Sequence, residues 1–151
     1  MEIVKDRNIL HIPINPTPKG AYLGGVYEMM MKELKFQSNA AAIASNQLSD
    51  TKGIDFRLVR AFVMKLDTLT NIFIVNPMIT KEVGEATAIE GCLSLPGVKC
   101  NVKRPKKIVV RGFNENWQPV GYKLHDFSAR VACHEIDHLD GKLIDDVGVR
   151  V

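Results

Sequence analysis

The chain has 151 residues, of which 46% are hydrophobic and 25% are charged, and its formal net charge is +3. This balance is typical of one soluble folded domain, and it excludes a disordered chain or two ordinary domains. No apolar run approaches the roughly 18 residues of a membrane span, and the opening MEIVKDRNIL lacks the apolar centre of a signal peptide. We therefore predict one cytosolic domain over residues 1–151.

Basic residues are spread along the chain, apart from one cluster formed by Lys103, Arg104, Lys106 and Lys107. We interpret this cluster as a solvated turn. A mild positive charge without a basic stripe predicts no specific binding of nucleic acid.

The first predicted elements are a helix and a loop. Apolar residues recur at spacings of three and four within residues 18–39, which predicts a helix with one apolar face. The apolar positions are Leu23, Val26, Met30 and Leu34. The next segment, AAAIASNQ at residues 40–47, is small and uncharged, and it indicates a loop packed closely against another part of the molecule.

The middle of the chain is predicted to form strands. β-Branched and aromatic residues indicate strands over residues 56–64 and 72–75, with a break at Asn76-Pro77. A further strand over residues 107–112 is followed by a turn and by a hairpin partner over residues 120–124.

The last predicted helix carries the first functional signal. It begins near Asp126, which can accept a hydrogen bond from the first turn, and it ends by Gly141, which can take a left-handed conformation. His134 and His138 are four residues apart and therefore share one face of this helix. Strands followed by a helix that buries a functional face indicate an α+β fold.

The segment HEIDH, residues 134–138, is typical of the metal-binding helix of zinc peptidases. Two imidazoles one turn apart can ligate a metal, and Glu135 lies between them within reach of a metal-bound water. Chance matches to so short a pattern are common, and two core histidines bonded to backbone carbonyls are the alternative. Burying two imidazoles on an apolar stripe is unfavourable, however, unless something binds them.

A catalytic site of this kind needs a third protein ligand. No glutamate follows Glu135, and Ile144 occupies the position of the third histidine in one class of peptidases. Asp145 and Asp146 are predicted to lie in a terminal strand. A ligand from an upstream segment is therefore favoured.

The best upstream donor is a cysteine thiolate. Cys133 points about 100° away around the helix from its neighbouring histidine, and Cys100 has no supporting pattern. Cys92 lies in EGCLSLPG, residues 90–97, where one glycine permits close backbone approach and Pro-Gly forces a turn. A Cys/His/His site with an open fourth position follows.

Three segments together resemble the peptide deformylase family. EGCLSLPG is similar to its Glu-Gly-Cys-Leu-Ser signature, HEIDHLDG to its His-Glu-x-x-His-Leu-x-Gly signature, and AAAIASNQ to its Gly-x-Gly-x-Ala-Ala-x-Gln segment. Their order and spacing agree with the family, and NILHIPINP, residues 8–16, resembles its opening stretch. The resemblance covers essentially the whole chain. It implies a deformylase-like α+β fold, with antiparallel and mixed sheets around a central metal-binding helix.

The resemblance also implies a metal centre and a reaction. Cys92, His134 and His138 would hold one divalent metal, which in this family is Fe²⁺ in cells, with Ni²⁺, Co²⁺ or Zn²⁺ able to replace it. Glu135 would act as general base and acid while a metal-bound hydroxide attacks the formyl carbon of an N-formylmethionyl peptide. Formate and a peptide with a free amino group would be released.

Further residues acquire roles by the same resemblance. Gln47 and the backbone N–H of Leu93 would donate hydrogen bonds to the developing oxyanion. The peptide would bind as an added strand beside the sheet. The residues expected to contact it are Ala41, Ala42, Glu90, Gly91, Lys99, Phe127 and Val131. An ordinary role in the core is the alternative for Phe127 and Val131.

The chain departs from the family pattern in three places. Ala40 and Ala42 occupy usual glycine positions, which narrows the room for a peptide backbone, and Lys99 stands where many relatives have arginine. The chain ends at Val151, so the resemblance is to short forms without the C-terminal helical extension, including members encoded by bacteriophages. We expect a cytoplasmic monomer, in a bacterium or a phage-infected host, that meets nascent chains near the ribosome exit without a docking helix.

Two other functions remain open at this point. The helix motif alone indicates a metallopeptidase that cleaves internal amide bonds, and cleavage of N-acetylated peptides would support it. The altered first motif suggests a protein that binds peptides without turnover. Peptide binding that is unaffected by Glu135→Gln would support this second function.

Overall fold

The computed structural model describes residues 2–50 and 53–151 as an α+β fold. The helices are α1 (Arg7–Leu10), α2 (Val26–Phe36), α3 (Phe127–Leu139) and α4 (Ile144–Val147). The strands are β1 (Ala42–Ala44), β2 (Ala61–Lys65), β3 (Asn71–Val83), β4 (Ala86–Cys92), β5 (Leu95–Arg104), β6 (Lys107–Phe113), β7 (Pro119–His125) and β8 (Val149–Arg150). None of the described helices is long and apolar enough to cross a lipid bilayer.

The strands of the described residues form two antiparallel sheets with α3 between them. One sheet has five strands in the order β1-β2-β3-β6-β7, and the other has three in the order β4-β5-β8. Ala132 and Ile136 of α3 share a buried core with Phe62, Val110 and Leu124 of the larger sheet. On its other side α3 contacts β5 of the smaller sheet. The predicted α+β arrangement around a central helix is therefore confirmed.

A second core lies on the opposite face of the five-stranded sheet. Val26, Met30 and Leu34 of α2 pack there with Phe73 and Val75 of β3. Their spacing is the one from which the helix was predicted.

The predicted start of this helix is wrong. We expected a helix over residues 18–39, whereas α2 begins only at Val26 and already ends at Phe36. Gly24 and Gly25 directly precede it with φ values of 63° and 81°, and these left-handed torsions cannot continue a right-handed helix.

Two strand predictions also need correction. The segment over residues 40–47 is not a loop throughout, because it contains β1, which pairs antiparallel with β2. The strand over residues 72–75 does not stop at Asn76-Pro77. Asn76 takes a φ of 53° within an irregularity of the β3–β6 register, so the strand bends there and continues.

The predicted strand over residues 56–64 starts too early. Residues Phe56–Leu58 form a short 3₁₀ turn, and β2 begins at Ala61. The hairpin predicted farther along is confirmed, since β6 and β7 pair from Lys107 with His125 to Phe113 with Pro119.

The ends of α3 agree only in part with the prediction. Gly141 takes the expected left-handed torsion, with a φ of 73°. Asp126, in contrast, makes no capping hydrogen bond with its side chain; Ser128 Oγ instead accepts a hydrogen bond from the backbone N–H of His125. Asp145 and Asp146 lie in α4 rather than in a terminal strand.

Asp145 joins the two ends of the chain. Arg7 Nη1 of α1 donates to its Oδ1 at 3.1 Å, and Arg150 Nη2 of β8 donates to its Oδ2 at 2.9 Å. The hydrogen bonds from Arg7 and Arg150 lower the pKa of Asp145 to about 2. The carboxylate form of Asp145 therefore stabilises the packing of α1, α4 and β8.

We expect Asp145→Asn to lower the free energy of unfolding at neutral pH by about 1 kcal/mol, the order found for partly exposed ion pairs. Because the pKa of Asp145 is lowered by folding, this stabilisation is present above the ordinary aspartate pKa and is lost as the pH falls toward about 2. Urea unfolding of both proteins at neutral pH and near pH 2 measures the difference.

A matched control removes a carboxylate that has no such partners. Glu85 is 72% exposed and lies 3.9 Å from Lys103, so Glu85→Gln should change stability little at either pH. A difference between wild type and Asp145→Asn that persists undiminished in acid would contradict the assignment.

Candidate metal centre

Three potential metal ligands meet where β4 approaches α3. Cys92 is the last residue of β4, and His134 and His138 lie one turn apart on α3. One ligand atom from each lies within 4.8 Å of those of the other two, and Cys92 Sγ is 3.2 Å from His138 Nε2. The structure thus brings together the predicted Cys/His/His set.

The hairpin between β4 and β5 positions the thiol. Cys92 pairs with Leu95, so Leu93 and Ser94 form the tight turn between the strands. The turn predicted at Pro96-Gly97 is therefore wrong, because both residues lie in β5. The pairing is irregular between Glu90 and Cys92, which lets both residues approach α3.

Gln47 approaches the same thiol from the larger sheet. Its Oε1 accepts a hydrogen bond from the backbone N–H of Ala44 at 2.9 Å. Its Nε2 donates to Ser94 Oγ at 3.2 Å and lies 3.6 Å from Cys92 Sγ. The side-chain amide is therefore held beside the metal ligands by partners from both sheets.

The C-terminal end of α3 is anchored by side chains from the larger sheet and its connections. Asn46 Nδ2 donates to the carbonyl oxygen of His138 at 2.6 Å. Arg60 Nη1 donates to the carbonyl oxygens of Ile14 and Leu139, each at 3.0 Å. The carbonyls of His138 and Leu139 also accept backbone hydrogen bonds from Gly141 and Ile14, which lie outside the helix, so the side chains reinforce a helix end that is already bonded.

A buried carboxylate lies behind His134. Glu90 Oε1 is 2.9 Å from His134 Nδ1. Arg104 donates to both Glu90 oxygens at 3.0 Å, and Arg130 Nη1 donates to Oε2 at 2.6 Å. Arg104 also donates to Asp137 of α3. Glu90 thus orients the imidazole of His134 and leaves its Nε2 directed toward Cys92.

The burial of Arg104 corrects one interpretation made from the sequence. We assigned Arg104 to a solvated turn with its basic neighbours, but its residue surface is only 6% exposed. Lys103, Lys106 and Lys107 are exposed as expected.

The charges of these groups follow from burial and from their partners. Burial would raise the pKa of Glu90, but hydrogen bonds with His134 and Arg104 lower it to about 2, so Glu90 is a carboxylate. Burial lowers the pKa of His138 well below its ordinary value and keeps this imidazole neutral. Burial raises the pKa of Glu135 to about 7, against the opposite effect of the charges on His134 and Arg104.

The pKa of His134 is raised, whereas that of His138 is lowered. Burial would lower the pKa of His134, but the hydrogen bond with Cys92, the charge of Glu135 and the hydrogen bond with Glu90 together raise it. A proton held between an imidazole and a thiol is displaced when a metal binds them, so metal binding should release a proton.

The donor set fits one transition-metal ion. Tetrahedral coordination by sulfur and nitrogen places neighbouring donor atoms about 3.5 Å apart, which agrees with donors that all lie within 4.8 Å of one another. Thiolate and imidazole ligands suit Fe²⁺, Zn²⁺, Co²⁺ and Ni²⁺ better than Mg²⁺ or Ca²⁺. Three protein ligands leave a fourth position for water or substrate.

A cleft of about 680 Å³ leads to the metal ligands Cys92 and His134, and His138 lies buried behind them. It runs past β1 and β4, which are edge strands of their sheets in the described part of the chain. Its walls include all seven residues predicted to contact a peptide: Ala41, Ala42, Glu90, Gly91, Lys99, Phe127 and Val131. Gln47, Leu93 and Glu135 also line it.

Phe127 and Val131, for which a role in the core was the alternative, differ in their burial. Phe127 is 70% exposed at the rim of the cleft, so the alternative of a core residue is wrong for it. Val131 is 8% exposed and belongs to the core while it also lines the cleft.

The residues that surround Glu90 were not predicted from the sequence. Arg130 lies four residues before His134 and Asp137 lies three after it, so helical spacing places both near the face of that histidine. Arg104 follows Cys100 and Val102 at the period of two that marks the buried face of β5. These spacings were available signals for a polar network behind the metal ligands.

The α+β fold and the candidate Cys/His/His centre beside an open cleft are typical of metal-dependent hydrolases. Comparison with known families identifies the chain more narrowly. The model of the polypeptide deformylase family matches residues 2–149, and the chain belongs to this family.

Curated relatives carry the same name. The chain is 38% identical over 122 residues to peptide deformylase 2 of Clostridium acetobutylicum, and the alignment covers 81% of this chain and 76% of that protein. It is 36% identical over 120 residues to the peptide deformylase of Acetivibrio thermocellus, covering 80% of this chain and 66% of that protein.

Solved structures agree. The peptide deformylase of a Vibrio parahaemolyticus bacteriophage, crystallised with actinonin, superposes with a TM-score of 0.81 at 32% identity, over 95% of this chain and 100% of that one. The Legionella pneumophila enzyme gives a TM-score of 0.83 at 27% identity, over 97% and 84%. The expected family, fold and enzyme class are thereby confirmed.

We expect Glu90→Gln to weaken metal binding by roughly 10- to 100-fold, the usual effect of removing a partner that orients a metal-ligating histidine. The amide keeps the shape of the carboxylate but loses the charge that holds His134. Competition between the protein and a chromogenic chelator for Zn²⁺ measures the affinity.

Glu82→Gln is the control, because Glu82 is exposed on β3 and belongs to the larger sheet. Thermal unfolding of the metal-free proteins separates a loss of affinity from a loss of fold. An unchanged affinity in a folded Glu90→Gln protein would show that Glu90 does not orient His134.

Proposed function

We propose that this protein hydrolyses the N-formyl group of the formylmethionine that begins nascent polypeptides, in the bacterial cytoplasm and as a monomer. Membership of the deformylase family supports the reaction. The observation that carries the proposal is the position of Glu135 on the cleft wall beside the metal ligands. Its Oε2 lies 3.9 Å from His134 Nε2, and its buried Oε1 has no hydrogen-bond partner among the described residues.

The metal ligands in this proposal are Cys92, His134 and His138. A divalent cation held by them would lower the pKa of a water molecule and polarise the formyl carbonyl. We favour Fe²⁺ as the ion used in cells, with Ni²⁺, Co²⁺ or Zn²⁺ able to replace it, because a thiolate with two imidazoles suits these ions.

Glu135 moves the proton. Its carboxylate accepts a proton from the attacking water and later gives it to the nitrogen of the leaving methionine. The bond between that nitrogen and the formyl carbon breaks, and formate and a free α-amino group result. The unpartnered oxygen of Glu135 is suited to this role because it need not exchange an existing protein hydrogen bond.

Gln47 and Leu93 stabilise the developing oxyanion. Gln47 Nε2 is held near Cys92 by the bonds of this side chain to Ala44 and Ser94, so it needs little reorientation during the reaction. The backbone N–H of Leu93 follows Cys92 directly and lies in the turn that lines the cleft.

The substrate backbone lies between the two edge strands. Ala41 and Ala42 at β1 flank it on one side, and Glu90 and Gly91 of β4 flank it on the other. Because the carboxylate of Glu90 is bound by His134 and two arginines, this residue contributes its backbone rather than its charge.

The methionine side chain and the following residues have their own contacts. Phe127 and Val131 are suited to the methionine side chain, since both are apolar and line the cleft beside His134. Lys99 would donate a hydrogen bond to a carbonyl of the peptide farther from the formyl group.

Removing the proton acceptor tests the mechanism. We expect Glu135→Gln and Glu135→Ala to lower kcat on formyl-Met-Ala-Ser by roughly 10²- to 10⁴-fold, because proton transfer by a side chain contributes about that much. Release of formate by the Fe²⁺ or Ni²⁺ form is the measurement, and metal content shows that the centre is retained.

Acetyl-Met-Ala-Ser is the matched substrate, because an internal peptidase would cleave both peptides behind the methionine. Wild-type formate production no higher than that of Glu135→Ala would refute the proposal. Cleavage of the acetylated peptide would favour the metallopeptidase alternative.

A second variant tests the oxyanion donors. Gln47→Leu keeps the length of the side chain but removes its amide, and we expect kcat to fall by roughly 10²- to 10³-fold with little change in KM. Metal content is measured in parallel because Gln47 Nε2 also lies 3.6 Å from Cys92 Sγ. A variant with full kcat would exclude Gln47 from the reaction.

A further inference from the structure

Positive charge is gathered on the outer face of β3, β6 and β7. Residues paired across neighbouring antiparallel strands point to the same side of a sheet. The register places nine residues on this side in three rows: Val83, Lys107 and His125; Lys81, Val109 and Lys123; Met78, Arg111 and Gly121. We call the set Lys81, Lys107, Arg111, Lys123 and His125 the basic face.

The five residues of the basic face are exposed, and none of the nine residues on this side of the sheet is acidic. Within the described part of the chain, the four Lys and Arg side chains form no ion pair with a carboxylate. A side-chain carbon at Gly121 would lie 3.1 Å from Arg111 Nη1, so this glycine leaves room for the guanidinium to lie across β7.

Two carboxylates adjacent in register or sequence to the basic face do not neutralise it. Glu82 pairs with Ile108 and therefore leaves the sheet from the opposite side. Asp126 lies at one corner, where its Oδ2 is 3.0 Å from Nδ1 of His125. The four Lys and Arg side chains are left facing solvent.

No described element packs on the basic face. The reverse side of β6 and β7 holds Ile108, Val110 and Leu124, which are buried in the core with α3. On the outer side, α2 packs with Phe73 and Val75 in the first part of β3. The basic face begins where that cover ends, after the bend at residue 76.

We propose that the basic face binds the sugar–phosphate backbone of structured RNA without reading its sequence. Its cations lie on strands about 4.8 Å apart, in rows about 6.8 Å apart along the strand, which is a dense array of charge for a polyanion. Such an array binds by neutralising phosphates and releasing counterions. The choice of RNA rests on the proposed function, because a nascent chain emerges from an RNA-rich particle.

The basic face adjoins the catalytic cleft. Lys106 and Asp126 line the cleft and are joined by a hydrogen bond from the Asp126 N–H to the Lys106 carbonyl at 2.7 Å. Lys107 and His125, the adjacent residues in the chain, form the first row of the basic face. RNA bound there would hold the mouth of the cleft close to the RNA surface.

Charge removal tests the proposal. In one variant Lys81, Lys107, Arg111 and Lys123 are all replaced by Gln. A control variant loses the same charge from exposed positions elsewhere, by replacement of Lys5, Lys32, Lys35 and Lys142 with Gln. Binding of a fluorescein-labelled RNA hairpin is followed by anisotropy over a range of KCl concentrations.

We expect wild type and the control variant to bind the hairpin with a strong salt dependence. The basic-face variant should lose at least about tenfold in affinity, and each lost phosphate contact should reduce the salt slope by roughly 0.7 to 0.9. Equal losses in both variants, or no binding by wild type, would overturn the proposal. Tighter binding to a DNA duplex of the same sequence or to phosphatidylserine vesicles would overturn it too.

Deformylation of free formyl-Met-Ala-Ser separates this proposal from the catalytic one. None of the four replaced residues lines the cleft, so the basic-face variant should turn over the free peptide as wild type does. Unchanged turnover also shows that the variant is folded. RNA binding by a wild type without deformylase activity would refute the catalytic proposal and leave RNA binding standing.

Discussion

The position of the metal ligands depends on one buried carboxylate. Glu90 is almost fully enclosed, and it is stabilised there because Arg104 of β5 and Arg130 and His134 of α3 all bind it. Removing one partner of a buried ion pair leaves an uncompensated charge and costs roughly 3–5 kcal/mol. The network therefore favours the observed alignment of the β4–β5 hairpin with α3, and this alignment brings the thiol two residues farther along the strand to the histidines.

The two sheets contribute different parts of the same site. The smaller sheet supplies Cys92 and the turn with its backbone N–H, and the 3₁₀ turn Ser45–Gln47, which follows β1 of the larger sheet, supplies Gln47 together with the helix anchor Asn46. An unpaired edge strand exposes backbone groups that would otherwise favour aggregation. Here β1 and β4 line the same cleft, and in the proposed function the same exposed groups bind the backbone of a peptide, with alanines at 40 and 42 in the cleft wall.

Patterns over short stretches of sequence predicted the elements and site residues that depend on local geometry. Helical spacing identified α2 and the metal-binding helix, alternation and turn residues identified the β6–β7 hairpin, and the family signatures identified Cys92 and Gln47. Two kinds of structural feature were not predicted from the sequence. Left-handed residues changed element boundaries, as Asn76 did in β3. Strand register joined residues that are distant in sequence, as with Glu90 and Arg104 or Lys81 and Lys123, and a single sequence does not reveal which residues become neighbours in this way.

The anchoring of the C-terminal end of α3 separates folding from metal binding. Asn46 and Arg60 hold the carbonyls of His138 and Leu139, and neither bond involves a metal ligand's side chain. In small zinc domains the ion organises the chain, and its loss unfolds the protein. In this chain both histidines lie on α3, which is already held by hydrogen bonds at its C-terminal end and by the ion pairs with Glu90. Loss of an ion would therefore leave the fold in place, and one divalent ion could replace another without refolding of the chain.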